Sequence, residues 1–239
     1  MQNKRIAITK NVLSGILSIF IFLLLVFFLI EFSVDIVFMK TDVKGYSMRP
    51  TINQTAPNMD VDWDTVYINR YKACEREDVV VANVPWYSNS IIKRLVAVPG
   101  DTIRMQLKDD YYELYVNEQF VRKEQKTTYT IHTNSDGTNR YIPGGTEAYY
   151  AKYLKIINNE SSVADFSNNI TTNENGQKCI KLNKNEYFLM GDNWAETTDC
   201  MTYGPVSGNC FVGKVELIIE HNKNSTQEFV AYLWRTLFS

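Results

Sequence analysis

The hydrophobic pattern divides the chain into three regimes. Val12 to Ile30 is almost wholly apolar. At about 1.5 Å per residue it reaches about 28 Å, close to the roughly 30 Å hydrocarbon core of a bilayer. Glu31 and Asp35 mark its exit, and Ile36-Val37-Phe38-Met39 follows. A cleavable secretory signal has a shorter apolar region, about 7–15 residues, with a small-residue cleavage site after it. Here the run is longer and no Ala-x-Ala follows, so an uncleaved anchor is expected. From about Asp62 the pattern shortens to strand-length runs separated by turn residues. Thr65 to Arg70 alternates. Asp78 to Val84 is continuously apolar in its centre, as for a strand buried on both faces. Ser90 to Val98, Thr102 to Leu107 and Tyr111 to Val116 read as further strands, with a turn at Pro99-Gly100-Asp101. Val116 to Val121 reads as a hairpin, although its Asn117-Glu118 lacks the usual glycine.

The third regime is Thr127 to Gly176, rich in Asn, Thr and Ser, with turn residues at Asp136-Gly137 and Pro143-Gly144-Gly145. Glu147 to Ile157 within it predicts a short helix, on which Tyr149, Tyr150 and Tyr153 are expected to pack. Strand patterning returns at Glu186 to Met190 and again at Cys210 to Ile219. Phe229 to Phe238 has apolar residues at helical spacing and is too short to span a bilayer. The expected organisation is a tail at 1–10, an anchor at 11–39 spanning about 12–30, and a β domain at 40–126 and 177–225. An inserted α+β and loop subdomain occupies 127–176, and an amphipathic tail 226–239 is expected to pack on the domain in preference to lying on the membrane surface.

Composition narrows the function classes. With 25 Lys+Arg against 27 Asp+Glu the formal net charge is −2, and no basic patch points to nucleic acid. Two histidines and four scattered cysteines give no metal-type spacing, so no metal or cofactor is expected. Cys200 and Cys210 flank a turn-rich segment. Pairing after export and four free thiols both fit them.

Candidate chemistry lies in three segments. The first is Lys44-Gly45-Tyr46-Ser47-Met48-Arg49-Pro50-Thr51, soon after the apolar run. A serine hydroxyl is a poor nucleophile until a base removes its proton. His132 and His221 stand in no recognisable triad context. Lys93, inside the apolar run Ile91-Ile92-Lys93-Arg94-Leu95-Val96-Ala97-Val98, is the better base, because burial disfavours the ammonium and lowers its pKa. The third segment is Gly191-Asp192-Asn193-Trp194-Ala195-Glu196-Thr197-Thr198-Asp199-Cys200-Met201-Thr202-Tyr203-Gly204.

In this order, behind an anchor, the three segments resemble the boxes of bacterial type I signal peptidases of the Gram-positive type. The resemblance implies a mainly β catalytic domain, a β-sheet or barrel, behind one transmembrane helix. It implies a Ser-Lys dyad of Ser47 and Lys93, with Thr197 matching the serine that orients the lysine. Asp199 matches the family's structural acid. Met201 stands where the family usually has the arginine that pairs with that acid, so Asp199 needs another donor, or sits exposed, or rises in pKa. The Ser47 backbone N–H is the natural oxyanion donor. Gly45 replaces a serine that supplies a second donor in some members. The implied substrates are signal peptides of secreted preproteins, bound as an added strand beside Gly45, Tyr46, Met48, Ile91 and Ile92. Met48 is also expected to touch the bilayer.

The implied location is the plasma membrane near the secretion machinery, single-pass, with the N-terminus cytoplasmic and the catalytic domain outside. Lys4, Arg5 and Lys10 before the span nearly balance Lys40, Lys44 and Arg49 after it, so the residues alone favour that orientation only modestly. A dedicated peptidase for pilins or other surface proteins is a narrower alternative. Non-catalytic signal-peptidase-like assembly factors are the alternative from another class. Those usually lack the serine or the lysine, and both are present here. Self-cleavage of the repressor type is disfavoured by the anchor, and the microsomal branch by its use of histidine in place of Lys93.

Overall fold

The computed structural model describes residues 2–54, 63–133 and 138–238, without the side chains of 2–12, 132–133 and 237–238. The basic side chains of the N-terminal tail, the His132 ring and the Asp136-Gly137 turn therefore lie outside the described residues. By internal contacts the chain divides into Met1–Met39 and Lys40–Ser239.

The first unit is a helix, α1, Gln2–Val37. Its stretch Leu13–Val37, with an 18-residue window of mean hydropathy 3.0, is long and apolar enough to cross a membrane. The helix runs through Glu31 and Asp35, seven residues beyond the apolar run that ends at Ile30. A carboxylate on a helix surface removes no backbone hydrogen bond, so charge at these two positions does not end the helix.

The second unit begins within β1, Phe38–Asp42. After the nucleophile-bearing loop come β2 (Thr65–Asn69), β3 (Val79–Ala82), β4 (Ile91–Ala97), β5 (Thr102–Lys108), β6 (Tyr111–Val116) and β7 (Gln119–Gln125). A hairpin of β8 (Tyr129–Thr133) and β9 (Asn139–Pro143) leads into helix α2, Gly145–Ile157. Then follow β10 (Ile170–Thr172), β11 (Lys178–Lys181), β12 (Glu186–Met190), helix α3 (Cys200–Tyr203), β13 (Val206–Ser207), β14 (Phe211–Ile219) and helix α4 (Ser225–Phe238). One sheet has the order β1-β2-β14-β3-β4-β12-β13 and a second the order β10-β11-β5-β6-β7. Both are open sheets, so of the two forms expected, sheet or barrel, the sheet is found.

Each strand of the core follows its composition. All four residues of β3 are buried, as its continuous valines predict. In β4, Lys93, Leu95 and Ala97 share one face by the two-residue period and all are buried. Lys93 is thus carried inside by the strand's own apolar residues, each of which contributes about 1.5–3 kcal/mol on burial. Arg94 falls on the opposite face. Pro99-Gly100-Asp101 makes the expected turn, with Gly100 at φ +89° and Asp101 N–H donating to the Val98 carbonyl at 3.0 Å. The hairpin at Asn117-Glu118 forms without glycine. Both residues take positive φ, 50° and 60°, while the Asn117 amide donates to Asp101 and the Glu118 carboxylate accepts from Arg104.

Three findings go beyond the pattern. The Thr127–Gly176 region contains the β8–β9 hairpin, and β10 within it joins the second sheet through β11, pairing Ile170 with Ile180. These strands are only three to five residues long, and the alternating Tyr129 and Ile131 of β8 are exposed, so their pattern marks no core face. α4 starts at Ser225, earlier than the apolar spacing indicated, and packs on the domain through Phe229, which stacks on Tyr67 with ring centroids 3.8 Å apart. Met48 is only 1% exposed. The expectation that it touches the bilayer is therefore corrected: its side chain is apolar and fills the interior beneath its loop.

Candidate active site

The loop after β1 is fixed by an asparagine. Asn53, fully buried and at φ 60°, donates through its side-chain amide to the carbonyls of Val43 (2.6 Å) and Gly45 (2.9 Å). Asp64 in turn accepts the Asn53 backbone N–H at 2.6 Å. Gly45 sits at φ +100°, a conformation that glycine adopts without steric cost. Ser47, two residues on, is held by the loop that follows β12. Its carbonyl accepts from the backbone N–H of Asn193 at 3.0 Å, and the Asn193 side-chain amide donates to the Tyr46 carbonyl at 3.2 Å.

Lys93 reaches this loop from β4. It is 5% exposed, and Nζ donates to Ser47 Oγ at 2.7 Å and to the Ile92 carbonyl at 2.9 Å. Burial pulls its pKa below the ordinary lysine value, and the negative charges of Asp199 and Asp192 act in the opposite sense. The two residues picked out by the first and second segments are therefore within one hydrogen bond of each other, although 46 positions apart.

The third segment lies against both. Gly191 packs so closely that a Cβ there would stand 2.2 Å from Thr197 Oγ1 and 2.6 Å from the Ser47 carbonyl oxygen. Thr197 Oγ1 donates to Asp199 Oδ2 at 3.0 Å. The Nζ hydrogen bonds of Lys93 go to Ser47 and Ile92. With its proton committed to Asp199, Thr197 Oγ1 has only lone pairs left to offer an amine. Asp199 is fully buried and caps α3, accepting the Met201 N–H at 3.0 Å and the Gly191 N–H at 2.9 Å. Tyr149 of α2 adds its hydroxyl, 3.1 and 3.0 Å from the two carboxylate oxygens. Met201 is buried.

A second acid of the segment, Asp192, has a separate partnership that sequence reasoning left without a role. Arg94 Nε donates to Asp192 Oδ1 at 2.8 Å and Arg122 of β7 donates to the same oxygen, while Thr51 Oγ1 donates to Oδ2 at 2.6 Å. Burial pushes this carboxyl up, but the hydrogen bonds from Arg94, Thr51 and Arg122 outweigh that and hold it below the usual carboxylate range. Asp192 and Arg94 stood inside the recognisable segments. Arg122 and Tyr149 did not, and only the tertiary fold brings them in.

The remaining candidates fall into place around this cluster. Ile91 and Ile92 pair with Ala82 and Val81 of β3 on one side. On the other side the register of β12 with β4 stops at Met190 opposite Arg94. That edge of Ile91–Lys93 thus has no ladder partner among the described residues. Gly45 and Tyr46 are partly exposed in the loop beside it. His221 Nδ1 lies 3.8 Å from Asp64 and makes no hydrogen bond to Ser47. All four cysteines are free thiols, and among the described residues no group of three His, Cys, Asp or Glu is arranged to hold a metal.

The family model described as "Signal peptidase, peptidase S26" matches residues 12–220, most of the chain. The protein belongs to the signal peptidase family. Its relatives include signal peptidase I of Streptococcus pneumoniae serotype 4, 24% identical over 175 residues that cover 73% of this chain and 78% of that protein. Signal peptidase I V of Bacillus subtilis strain 168 is 28% identical over 183 residues, 75% of this chain and 84% of that one. Signal peptidase I P of Bacillus subtilis subsp. natto is 29% identical over 210 residues, 87% and 89% of the two chains. A crystal structure of a signal peptidase I from Enterococcus faecalis V583 covers 60% of this chain and 97% of its own, at 21% identity and a TM-score of 0.32. Membership makes this chain a peptidase of the kind that removes signal peptides, and its apolar N-terminal helix is consistent with membrane anchoring.

Proposed function

We propose that the chain is a membrane-anchored serine endopeptidase that removes signal peptides from exported preproteins with Ser47 as nucleophile and Lys93 as general base. The observation that carries this reading is the 2.7 Å contact between Nζ of the buried Lys93 and Oγ of the half-buried Ser47. Burial favours the neutral amine, and a neutral amine at this distance accepts the hydroxyl proton. Ser47 Oγ then attacks the scissile carbonyl carbon, and the carbonyl electron pair moves to oxygen. The Ser47 backbone N–H supports that oxyanion. As the tetrahedral intermediate collapses, the C–N bond breaks and the Lys93 ammonium returns its proton to the leaving amine. Lys93 next takes a proton from water, whose oxygen attacks the acyl ester; as that intermediate collapses the C–Oγ bond breaks and Lys93 returns the proton to Ser47 Oγ. Thr197 and Asp199 orient the base.

The substrate lies as an extended strand on the unpaired edge of Ile91–Lys93, with Gly45 and Tyr46 on its other flank and small side chains at its −3 and −1 positions. The anchor at 11–39 confines the enzyme to the plasma membrane that holds its substrate and the secretion machinery, which raises effective concentration without any new contact. Residues 40–239 lie on the extracytoplasmic side, and the N-terminal tail is cytoplasmic.

The test is cleavage of a membrane-held preprotein in liposomes by wild type, Ser47→Ala and Lys93→Ala. Each substitution is expected to lower kcat by about 10³-fold or more. Equal cleavage by wild type and Ser47→Ala overturns the nucleophile, and full activity of Lys93→Ala overturns the base. Folded wild type that cleaves no preprotein but supports assembly of a surface structure points to the assembly-factor class instead.

A further inference from the structure

Asp199 is a fully buried carboxylate, and no guanidinium or ammonium is within ion-pair distance of it among the described residues. Removing an isolated charge from water is costly unless donors replace the solvent. Four do so: the backbone N–H groups of Gly191 and Met201, the Thr197 hydroxyl, and the Tyr149 hydroxyl, which spans both oxygens. Three belong to the same short segment as the carboxylate. The fourth is delivered by α2, from the region between the second and third motifs.

That delivery is rigid. Tyr149 is 1% exposed and its ring stacks on Trp194, with centroids 5.6 Å apart and planes 18° apart. Lys152, one turn further along α2, donates to Thr202 Oγ1 of α3 at 3.0 Å. The start of α2 is pinned to the end of β7 by Thr146, whose hydroxyl donates to the Gln125 carbonyl at 2.7 Å and accepts the Thr127 N–H at 2.8 Å. Gly145 approaches so closely that a Cβ there would meet the Thr127 carbonyl oxygen at 2.4 Å. The phenol itself stays protonated: burial and the adjoining Asp199 charge push it far above the ordinary tyrosine value.

We propose that Tyr149 is a positioning residue of the catalytic centre, acting on Lys93 through Asp199. The inference rests on the Ser47–Lys93 reading. It makes the inserted region a working part of the site. A guanidinium would hold the carboxylate and cancel its charge together. A phenol holds it and leaves the charge in place, so Asp199 continues to act on the Lys93 ammonium. The titratable or charged groups facing the cluster are Lys93 from β4, Arg122 from β7, Lys152 from α2, Asp192 from the third segment and Cys200 from α3.

The direction of the effect follows. Tyr149→Phe keeps the ring stack and removes one dipole whose positive end points at the carboxylate. Asp199 retains three donors, its field at Lys93 is less compensated, and the ammonium is favoured. The acid limb of kcat/KM should therefore move to higher pH by about half a unit. At neutral pH kcat should fall about tenfold, with KM within about twofold. 3-Fluorotyrosine at 149, a stronger donor of nearly the same shape, should move the limb to lower pH. Tyr150→Phe, on a ring stacked against Tyr112, should leave the limb unmoved. In an Asp199→Asn background Tyr149→Phe should add nothing.

The assay is pH-resolved cleavage of a membrane-held preprotein by full-length protein, alongside Lys93→Ala. An unmoved limb in the Phe and fluorotyrosine variants overturns the proposal. So does a rate loss without a limb shift, which marks mere packing. If Tyr149→Phe fails to fold, the fluorotyrosine variant decides alone. Full activity of Lys93→Ala would sink the dyad itself, whereas an inactive Lys93→Ala with an unmoved Tyr149 series would sink only this inference.

Discussion

Gly191→Ala tests how tightly the third segment is fitted to the nucleophile. A Cβ at 191 would stand 2.2 Å from Thr197 Oγ1, 2.6 Å from Thr197 Cβ and 2.6 Å from the Ser47 carbonyl oxygen. To restore ordinary contact, the threonine hydroxyl must retreat by about 1 Å and the Ser47 carbonyl by about half an ångström or more. The hydroxyl can rotate. The threonine Cβ and the Ser47 carbonyl are at or beside the backbone and can only separate as segments. That separation strains the 3.0 Å bond from Asn193 N–H to Ser47 and turns Ser47 Oγ away from Lys93. A misplacement near 1 Å costs about 10²-fold in rate, or about 2.7 kcal/mol of transition-state stabilisation. Overpacking on the fold should cost a further 1–3 kcal/mol, roughly, and lower Tm by several degrees. The assay is single-turnover cleavage with thermal unfolding of the same samples. Wild-type kcat in a folded Gly191→Ala protein would refute the reasoning, because it would show that Ser47 is not held by this contact.

Two further expectations rest on other contacts. Arg94→Met leaves Asp192, 5% exposed, with only Thr51 and Arg122, and should cost about 3 kcal/mol in chemical denaturation. The native pKa of Asp192 lies below its unfolded value, so its contribution is fully present above the ordinary carboxylate range and is lost as pH falls through the native pKa. The wild-type advantage over Arg94→Met should therefore shrink below about pH 4, and an advantage unchanged at acid pH would count against this pairing. Among the thiols, Cys200 is fully buried, its pKa is pushed well up by burial, and its sulfur accepts the Leu189 N–H at 3.2 Å. A thiol reagent on the native protein should label half-buried Cys210 well before Cys200, and equal rates would contradict the buried position.

The sequence by itself determined the elements whose patterning is local. An unbroken apolar run suits a long helix in lipid, the short apolar run of β3 between turn signals suits a strand buried on both faces, and Pro99-Gly100-Asp101 suits a turn. It also carried Ser47 and Lys93, because each stands in a segment whose order is recognisable. The apolar neighbours of Lys93 on β4 announce its burial. Tertiary structure alone decided who surrounds them. Arg122 is an ordinary charged residue of a polar strand until β7 brings it to Asp192. Tyr149 is one of three tyrosines on an amphipathic helix until α2 docks and aims its hydroxyl at a carboxylate 50 positions away. The β8–β9 hairpin and β10 were hidden because strands this short, with Tyr129 and Ile131 exposed, are defined by their partners rather than by a buried face. Local patterning fixes which face of an element is apolar. Which polar group meets a buried charge is set by packing between distant segments, and no periodicity in the chain records it.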